Sequence, residues 1–422
     1  MNIAGSIKEI FLKFKYYGLK GAIRFVIDFV PSRYFLWRQR RFFLQNWVKY
    51  NITPIDGITV VGNLTAQGSI YKTLRDFVFS LKDAGIPCQT YDTCRKPCVP
   101  KEDVAAILTP VADFQLRKYK KIIVMFDNPL PKELDIDVSV IYFWEYTSAF
   151  LDAHPECLSC TSVIGMSDFN VNYFRSVLPD SIRVSKILYP FRFVSPRSTV
   201  VSIVRERYGL CEDEFNVFFN FALSSSCARK NPESAIMAFA EAFRSNSKAK
   251  LIFKIFGSGD YSKELSKLKD MAERLGIRDR FVVIEDYLSQ EEIYALTSIC
   301  DVYLSLHRGE GLGLGIVEAM SLGKAVVVTG WSANTEFCNE HNSMLVPYSI
   351  VPASHDKIDH IYMEKVETWA EPDVHEAAFA LKRLYESPML RKEIGVRAKT
   401  FIKNHFSIDN FRQSVICFIG GQ

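Results

Sequence analysis

No apolar run in this 422-residue chain approaches the roughly 20 residues that a helix needs to cross a bilayer. The sequence also shows no secretory leader, no internal repeat and no low-complexity tract. These absences argue against a membrane-spanning or disordered chain and lead us to expect a globular, cytoplasmic one. The formal net charge is only +4, so no nucleic-acid partner is expected. Ten cysteines are scattered, and the close pairs, Cys94-x3-Cys98 and Cys157-x2-Cys160, differ in spacing and lie far apart. Reduced, mostly buried thiols are expected there rather than a zinc site. What is present is ordinary: 48% hydrophobic and 24% charged residues, enough to fill the cores of two large α/β domains.

The charge is uneven. Residues 1–50 carry ten Lys or Arg against Glu9 and Asp28, which leaves the rest of the chain mildly acidic. Ile7, Ile10, Phe11, Phe14, Phe25 and Phe29 fall on one helical face, with Glu9, Lys13, Lys20 and Arg24 opposite, and Pro31 ends the pattern. Tyr34 to Trp47 then mixes aromatics with Arg38, Arg40 and Arg41. Such a basic, aromatic, amphipathic extension suits a helix lying on an anionic membrane surface. The alternative is a helix packed on the body with its charged side in water. The expectation is peripheral attachment to the inner face of the membrane, with Phe35, Trp37, Phe42, Phe43 and Trp47 inserting.

Beyond Pro54, strand-like runs over 57–62, 121–126, 138–143, 161–165 and 186–189 alternate with helical stretches. A second series begins near Val200, with strands over 216–221, 251–256, 281–284, 301–306 and 325–329. Alternation of this kind predicts parallel, doubly wound sheets, whose ligands sit beyond the carboxyl ends of the strands. Residues 357–371 read as an exposed charged insertion, and helices over 373–386, 389–399 and 407–417 close the chain. The expected division is an extension at 1–50, a first domain at 51–198, a second at 199–387 and closing helices at 388–422.

Several strand ends carry chemistry. Trp144 and Glu145 follow one strand, where a ring could stack on a sugar and a carboxylate could accept a hydroxyl; an amphipathic strand cap is the alternative. Arg229 and Lys230 precede Asn231-Pro232, a helix cap and first position, so two cations stand where they can offset the charge of a leaving nucleotide diphosphate; a solvated surface pair is the alternative. The stretch the chain is organised around is Ser305-Leu-His307-Arg-Gly309-Glu310-Gly311-Leu-Gly313-Leu314-Gly315-Ile-Val-Glu318. Its alternate glycines let backbone approach a ligand and leave N–H groups at a helix start, the makings of an anion site. Glu310 and Glu318 fit there if they accept hydrogen bonds from hydroxyls flanking a phosphate, or else are a solvated loop acid and a helix-start acid.

Glu310 to Lys324, with its Glu-x7-Glu spacing, resembles the donor-site signature of the retaining glycosyltransferases of family 4 (glycosyl transferases group 1). The likeness runs from about Asn216 to His405. It implies the GT-B fold: two doubly wound Rossmann-like parallel-sheet domains facing a cleft, the last helix crossing back to the first domain. It implies Lys230, Arg229 and Glu310 as catalytic residues, with Glu318, Gly313, Leu314, Gly259 and His307 binding a nucleotide-diphosphate sugar. Trp144, Glu145 and Gly68 would stand on the acceptor side, facing a glycan or lipid-linked acceptor. The cations would stand in for a divalent metal, so no metal or other cofactor is expected. An epimerase of sugar nucleotides on the same fold, and a membrane-docked binding protein with an inactive site, are the rival readings.

Overall fold

The computed structural model describes residues 37–421 apart from 47–48, 50–52, 67–68, 95–96, 117, 126–136, 245–247, 257–260 and 354–366. Two six-stranded sheets organise them. The first holds β1 (Ile55–Gly62), β2 (Cys88–Asp92), β3 (Tyr119–Met125), β4 (Val138–Ile141), β5 (Ser162–Gly165) and β6 (Arg183–Lys186), in the order β2-β1-β3-β4-β5-β6. The second holds β7 (Phe215–Ala222), β8 (Ala249–Phe256), β9 (Phe281–Ile284), β10 (Val302–Ser305), β11 (Ala325–Thr329) and β12 (Met344–Val346), in the order β12-β11-β10-β7-β8-β9. All neighbouring strands in both sheets pair in parallel. Strands covered by helices on both faces are apolar along their whole length, as the fully buried Ala325-Val-Val-Val-Thr329 shows. The strand order reverses between β1 and β3 and again between β7 and β10, and each reversal opens a crevice at the carboxyl ends. The fold is thus the expected pair of doubly wound sheets.

The helix Ile408–Gly420 locks the two units together. Phe411 meets Phe77 of the first domain edge to face at 5.6 Å, and the Ser414 hydroxyl accepts a hydrogen bond from the Leu188 amide at 3.3 Å. Two expectations need correction. The strand expected at 186–189 lies at 183–186, an edge strand of half-exposed residues, while Tyr189 is buried in the connection and donates to Asp76 at 2.8 Å. The end of the supposed charged insertion is a strand: β14 (Thr368–Pro372) pairs antiparallel with β13 (Tyr348–Pro352), and Trp369 and Ala370 are buried.

The extension is described only in part, and the helix expected over 7–29 lies outside the described residues, as do Phe35 and Trp47. Residues 37–46 are helical. Gln39, Phe43 and Asn46 form its inner face. Phe43 is fully buried, Phe42 stacks on Tyr91 at 4.9 Å, and Asn46 bonds the backbone on both sides of Gln115, donating to Phe114 O at 3.0 Å and accepting from Leu116 N at 2.6 Å. Phe42 and Phe43 are therefore packed on the body and cannot insert into a bilayer, whereas Trp37, Arg38 and Arg41 face outward. Among the described residues no helix is long and apolar enough to cross a membrane. Phe43→Ala should cost about 3 kcal/mol of unfolding free energy in urea, and Trp37→Ala less than about 0.5 kcal/mol. Equal, small losses would mean the helix is not part of the core.

Candidate active site

The loop after β7 is built by caps. Asn231 sits at a left-handed φ of 54°, its side chain accepting from Ser234 N at 3.4 Å and donating to Leu306 O at 2.9 Å, and Pro232 opens the helix Pro232–Phe243. Ser226, also at positive φ, caps the short turn Cys227–Lys230 through Arg229 N. Ser332, at φ 72°, accepts from the Glu310 amide at 2.9 Å. Backbone held in this sparsely populated region by three separate non-glycine residues around one loop pair is the kind of strain that folds keep at functional sites.

Arg229 and Lys230 come together with Glu310 and Glu145. Arg229 is buried, donating to Gly309 O at 2.7 Å and to Ser225 O at 3.0 Å, with Glu145 at 3.4 Å and Glu310 at 3.5 Å. Burial works against its charge, but Glu145 and Glu310 outweigh it and its pKa is raised. Lys230 Nζ is bound to Glu310 Oε1. Burial lowers the Lys230 pKa, with Glu310 opposing. Burial likewise opposes the Glu310 charge, yet Lys230 and Arg229 pull its carboxyl down to about 2. Arg229 thus spends most of its donors holding the loops, and Lys230 is the cation whose partner an incoming anion can replace.

The loop after β10 lies against the first domain. A side chain at Gly309 would collide with the Glu145 carbonyl, which requires glycine there, and Gly313 caps the helix Leu314–Ser321 at φ 86°. Gly313 and Leu314 therefore stand at the start of a helix, where the first amides have no partner within the helix. His307 is wholly buried: Ser305 Oγ donates to its Nδ1 at 3.1 Å, and its Nε2 donates to Asn334 Oδ1 at 3.0 Å. The Asn334 amide nitrogen is committed to Thr329 O, which fixes that oxygen as acceptor. Burial lowers the His307 pKa, so the ring is neutral and holds the loop from beneath rather than facing a ligand.

Glu318 belongs to a second cluster that the sequence did not reveal. Lys72, from the first domain's helix Ser69–Asp83, lies 3.7 Å from Glu318 and 2.7 Å from Asp76, with Gln290 donating at 3.4 Å and Tyr294 at 3.5 Å. Burial raises the Glu318 pKa, and Asp76 adds to it. Lys72 is raised well above its ordinary value: burial opposes its charge, and Tyr189, Asp76 and Glu318 outweigh burial. Only spatial convergence brings Lys72 and Glu318 together, and no local signal marks it.

The acceptor-side residues divide. Glu145 reaches the cations, but Trp144 turns inward: it is buried beside Phe150 and His154, and its indole N–H donates to Ser148 O at 3.0 Å. It offers no sugar platform. Gly68 and Gly259 lie outside the described residues. Among the described residues no group of three His, Cys, Asp or Glu is placed to hold a metal. The chain has one Asp-x-Asp triplet, Asp135-Ile-Asp137. Its described member, Asp137, precedes β4 at the far end of the sheet and is bound by Lys121 and Arg183.

The two glutamates should respond oppositely to pH. A depressed pKa contributes stability above the ordinary carboxylate range and loses it on acidification. Glu310→Gln should therefore cost about 3 kcal/mol near pH 7, a gap that narrows as pH falls from about 5 toward 2. A raised pKa contributes stability only below that range, so Glu318→Gln should be no less stable than the parent at pH 7. Urea unfolding across pH checks both, and a destabilised Glu318→Gln would contradict the burial argument.

Residues 221–368 match the family model described as Glycosyl transferases group 1. Among curated proteins, the alpha-monoglucosyldiacylglycerol synthase of Streptococcus pneumoniae (strain ATCC BAA-255 / R6) is 24% identical over 250 residues, 59% of this chain. The match spans about half, 52%, of that relative's length. Among solved structures, Anabaena Alr3699/HepE in complex with UDP-glucose aligns with a TM-score of 0.63 at 16% identity, over 87% of this chain and 100% of that one. The sucrose-phosphate synthase of Thermosynechococcus elongatus aligns with a TM-score of 0.61 at 14% identity, over 87% and 99%. The two parallel sheets and these structural likenesses make the fold GT-B.

Proposed function

We propose that this chain is a retaining glycosyltransferase of family 4 that moves a sugar from a nucleotide-diphosphate sugar to a glycan or lipid-linked acceptor, as in the assembly of a cell-surface polysaccharide or glycoconjugate. The observation that carries this reading is Lys230, bound to Glu310 beside Arg229 at the carboxyl ends of both sheets, inside the segment that matches the family model. The UDP-glucose complex of HepE supports a nucleotide-sugar donor, and the name of the pneumococcal relative supports a lipid-linked acceptor.

In this mechanism the diphosphate replaces Glu310 on Lys230 and takes up the amides of Gly313 and Leu314. Glu310, released, accepts hydroxyls of the transferred sugar. Glu318 accepts the ribose hydroxyls, exchanging its weak contacts to Gln290 and Tyr294 for them. As the sugar leaves, negative charge grows on the phosphate, and Lys230, anchored beside Arg229, stabilises it most in the transition state. That charge compensation is the role a divalent ion plays in other transferases, so the reaction runs without one. Retention proceeds on one face of the sugar, and no protein nucleophile is assigned.

Lys230→Ala should lower turnover by roughly 10²–10³ while wild-type activity survives a chelator. Activity abolished by chelation and restored by magnesium would sink the metal-free reading. Peripheral attachment to the inner face of the membrane is part of the same proposal, and the outward Arg38, Arg41 and Trp37 support it. Each cation near an anionic surface adds about 1 kcal/mol, so Arg38→Ala with Arg41→Ala should weaken binding to anionic vesicles about 30-fold. Vesicle co-sedimentation that is unchanged by the pair would remove the helix from the membrane.

A further inference from the structure

A cavity of about 100 Å³ lies between the two domains, beside the cation cluster and bordered by Arg308 at the start of the glycine loop. Glu145, Tyr146 and Thr147, which follow β4, form its first-domain side. Trp331, beyond β11, and Trp369, on the β13–β14 hairpin, close it from the second domain, with Arg308 between them. We propose that this cavity is the acceptor subsite and that it takes the neutral ring of a pyranose. Calling the occupant an acceptor rests on the transferase reading above; the choice of a neutral ring rests on the cavity itself.

Charge makes the first selection. Arg308 is the one cation among the lining residues, and its charge is paired with Glu371. Its Nε and Nη2 donate to the two oxygens of Glu371 at 2.6 and 2.8 Å, its Nη1 donates to Ala228 O at 2.6 Å, and its guanidinium lies over the Trp369 ring at 4.7 Å. No lining cation is left to hold a phosphate or a carboxylate, and Glu145 would repel either. What Glu145 can do is accept hydroxyls.

The walls make the second selection. Aromatic faces with a few fixed polar groups suit a ring that has apolar C–H faces and hydroxyls at its edge. The Tyr146 side chain adds to the aromatic lining, with its hydroxyl buried on the side of Ser226 and Arg229. Position makes the third. Glu145 lines the cavity and stands 3.4 Å from Arg229, so a hydroxyl held by Glu145 is next to the donor's cations. Arg308 further ties the hairpin wall to Ala228, the residue before Arg229. These contacts replace the Trp144 platform expected from the sequence with Trp331 and Trp369, which lie far from it in the chain.

The test is saturation-transfer NMR on the full chain, with methyl pyranosides of gluco, galacto and manno configuration and glycerol as probes, with and without UDP. The expected result is transfer to the ring protons of at least one pyranoside and none to glycerol. Trp331→Ala should weaken that pyranoside about tenfold and Trp331→Phe should restore most of the loss. Thr147→Trp, at an exposed lining position, should block binding. Calorimetry with UDP, unchanged within about twofold in each variant, would show that the fold and donor cleft survive. The proposal is overturned if no pyranoside binds a wild type that binds UDP, if glycerol binds as well as the pyranosides, if inorganic phosphate displaces them, or if Trp331→Ala or Thr147→Trp binds them as the parent does. Should UDP fail to bind the wild type, the transferase reading falls, while the pyranoside titration still decides whether the cavity is a sugar site.

Discussion

Four buried or half-buried charges at one seam set the terms for the rest of this structure. Arg229 and Lys230 come from the loop after β7, Glu310 from the loop after β10, and Glu145 from the first domain. Removing such groups from water costs several kcal/mol each, and an apolar cluster of equal volume would serve stability as well or better. The surroundings therefore have to hold the cluster together: positive-φ caps at Ser226, Asn231 and Ser332, a glycine at 309 where Glu145 backbone presses close, and a neutral His307 beneath the loop. Strain and desolvation gathered at one place mark it as the candidate functional site.

The same seam couples the domains. Lys72 reaches across to Glu318, and Lys186 binds both Asp168 and Glu336. The Ser167 hydroxyl donates to Gly311 O at 2.8 Å, which ties the first domain directly to the glycine loop. Glu318 stands out because its carboxylate is disfavoured where it sits. Under the proposed mechanism this poor accommodation is a stability–function compromise, because ligand hydroxyls would replace the long contacts to Gln290 and Tyr294.

What was legible in the sequence was local. The strand–loop–helix around Gly313 and the Asn231-Pro232 start are read from adjacent residues, because cap chemistry and positive φ depend on a few neighbours. The parallel sheets follow from short apolar runs, which burial on both faces imposes. What was not legible was set by tertiary contact. Whether Trp144 turns out or in depends on Phe150 and His154, and the sequence pattern is the same either way. Phe42 and Phe43 gave an apolar face, but a bilayer and a protein surface demand the same pattern. Lys72, Trp331 and Trp369 sit in three separate regions of the chain and reach the seam between the sheets only through the fold.

In the proposed reaction Lys230 is held ready by Glu310 for the second phosphate of a nucleotide. The most direct measurement compares thermal stabilisation by nucleoside diphosphates and the matching monophosphates, in the wild type and in Lys230→Ala. A diphosphate that stabilises the wild type well beyond its monophosphate, with the difference lost in the variant, is the predicted result. Equal stabilisation by the two in the wild type, or a difference that survives in Lys230→Ala, would contradict it.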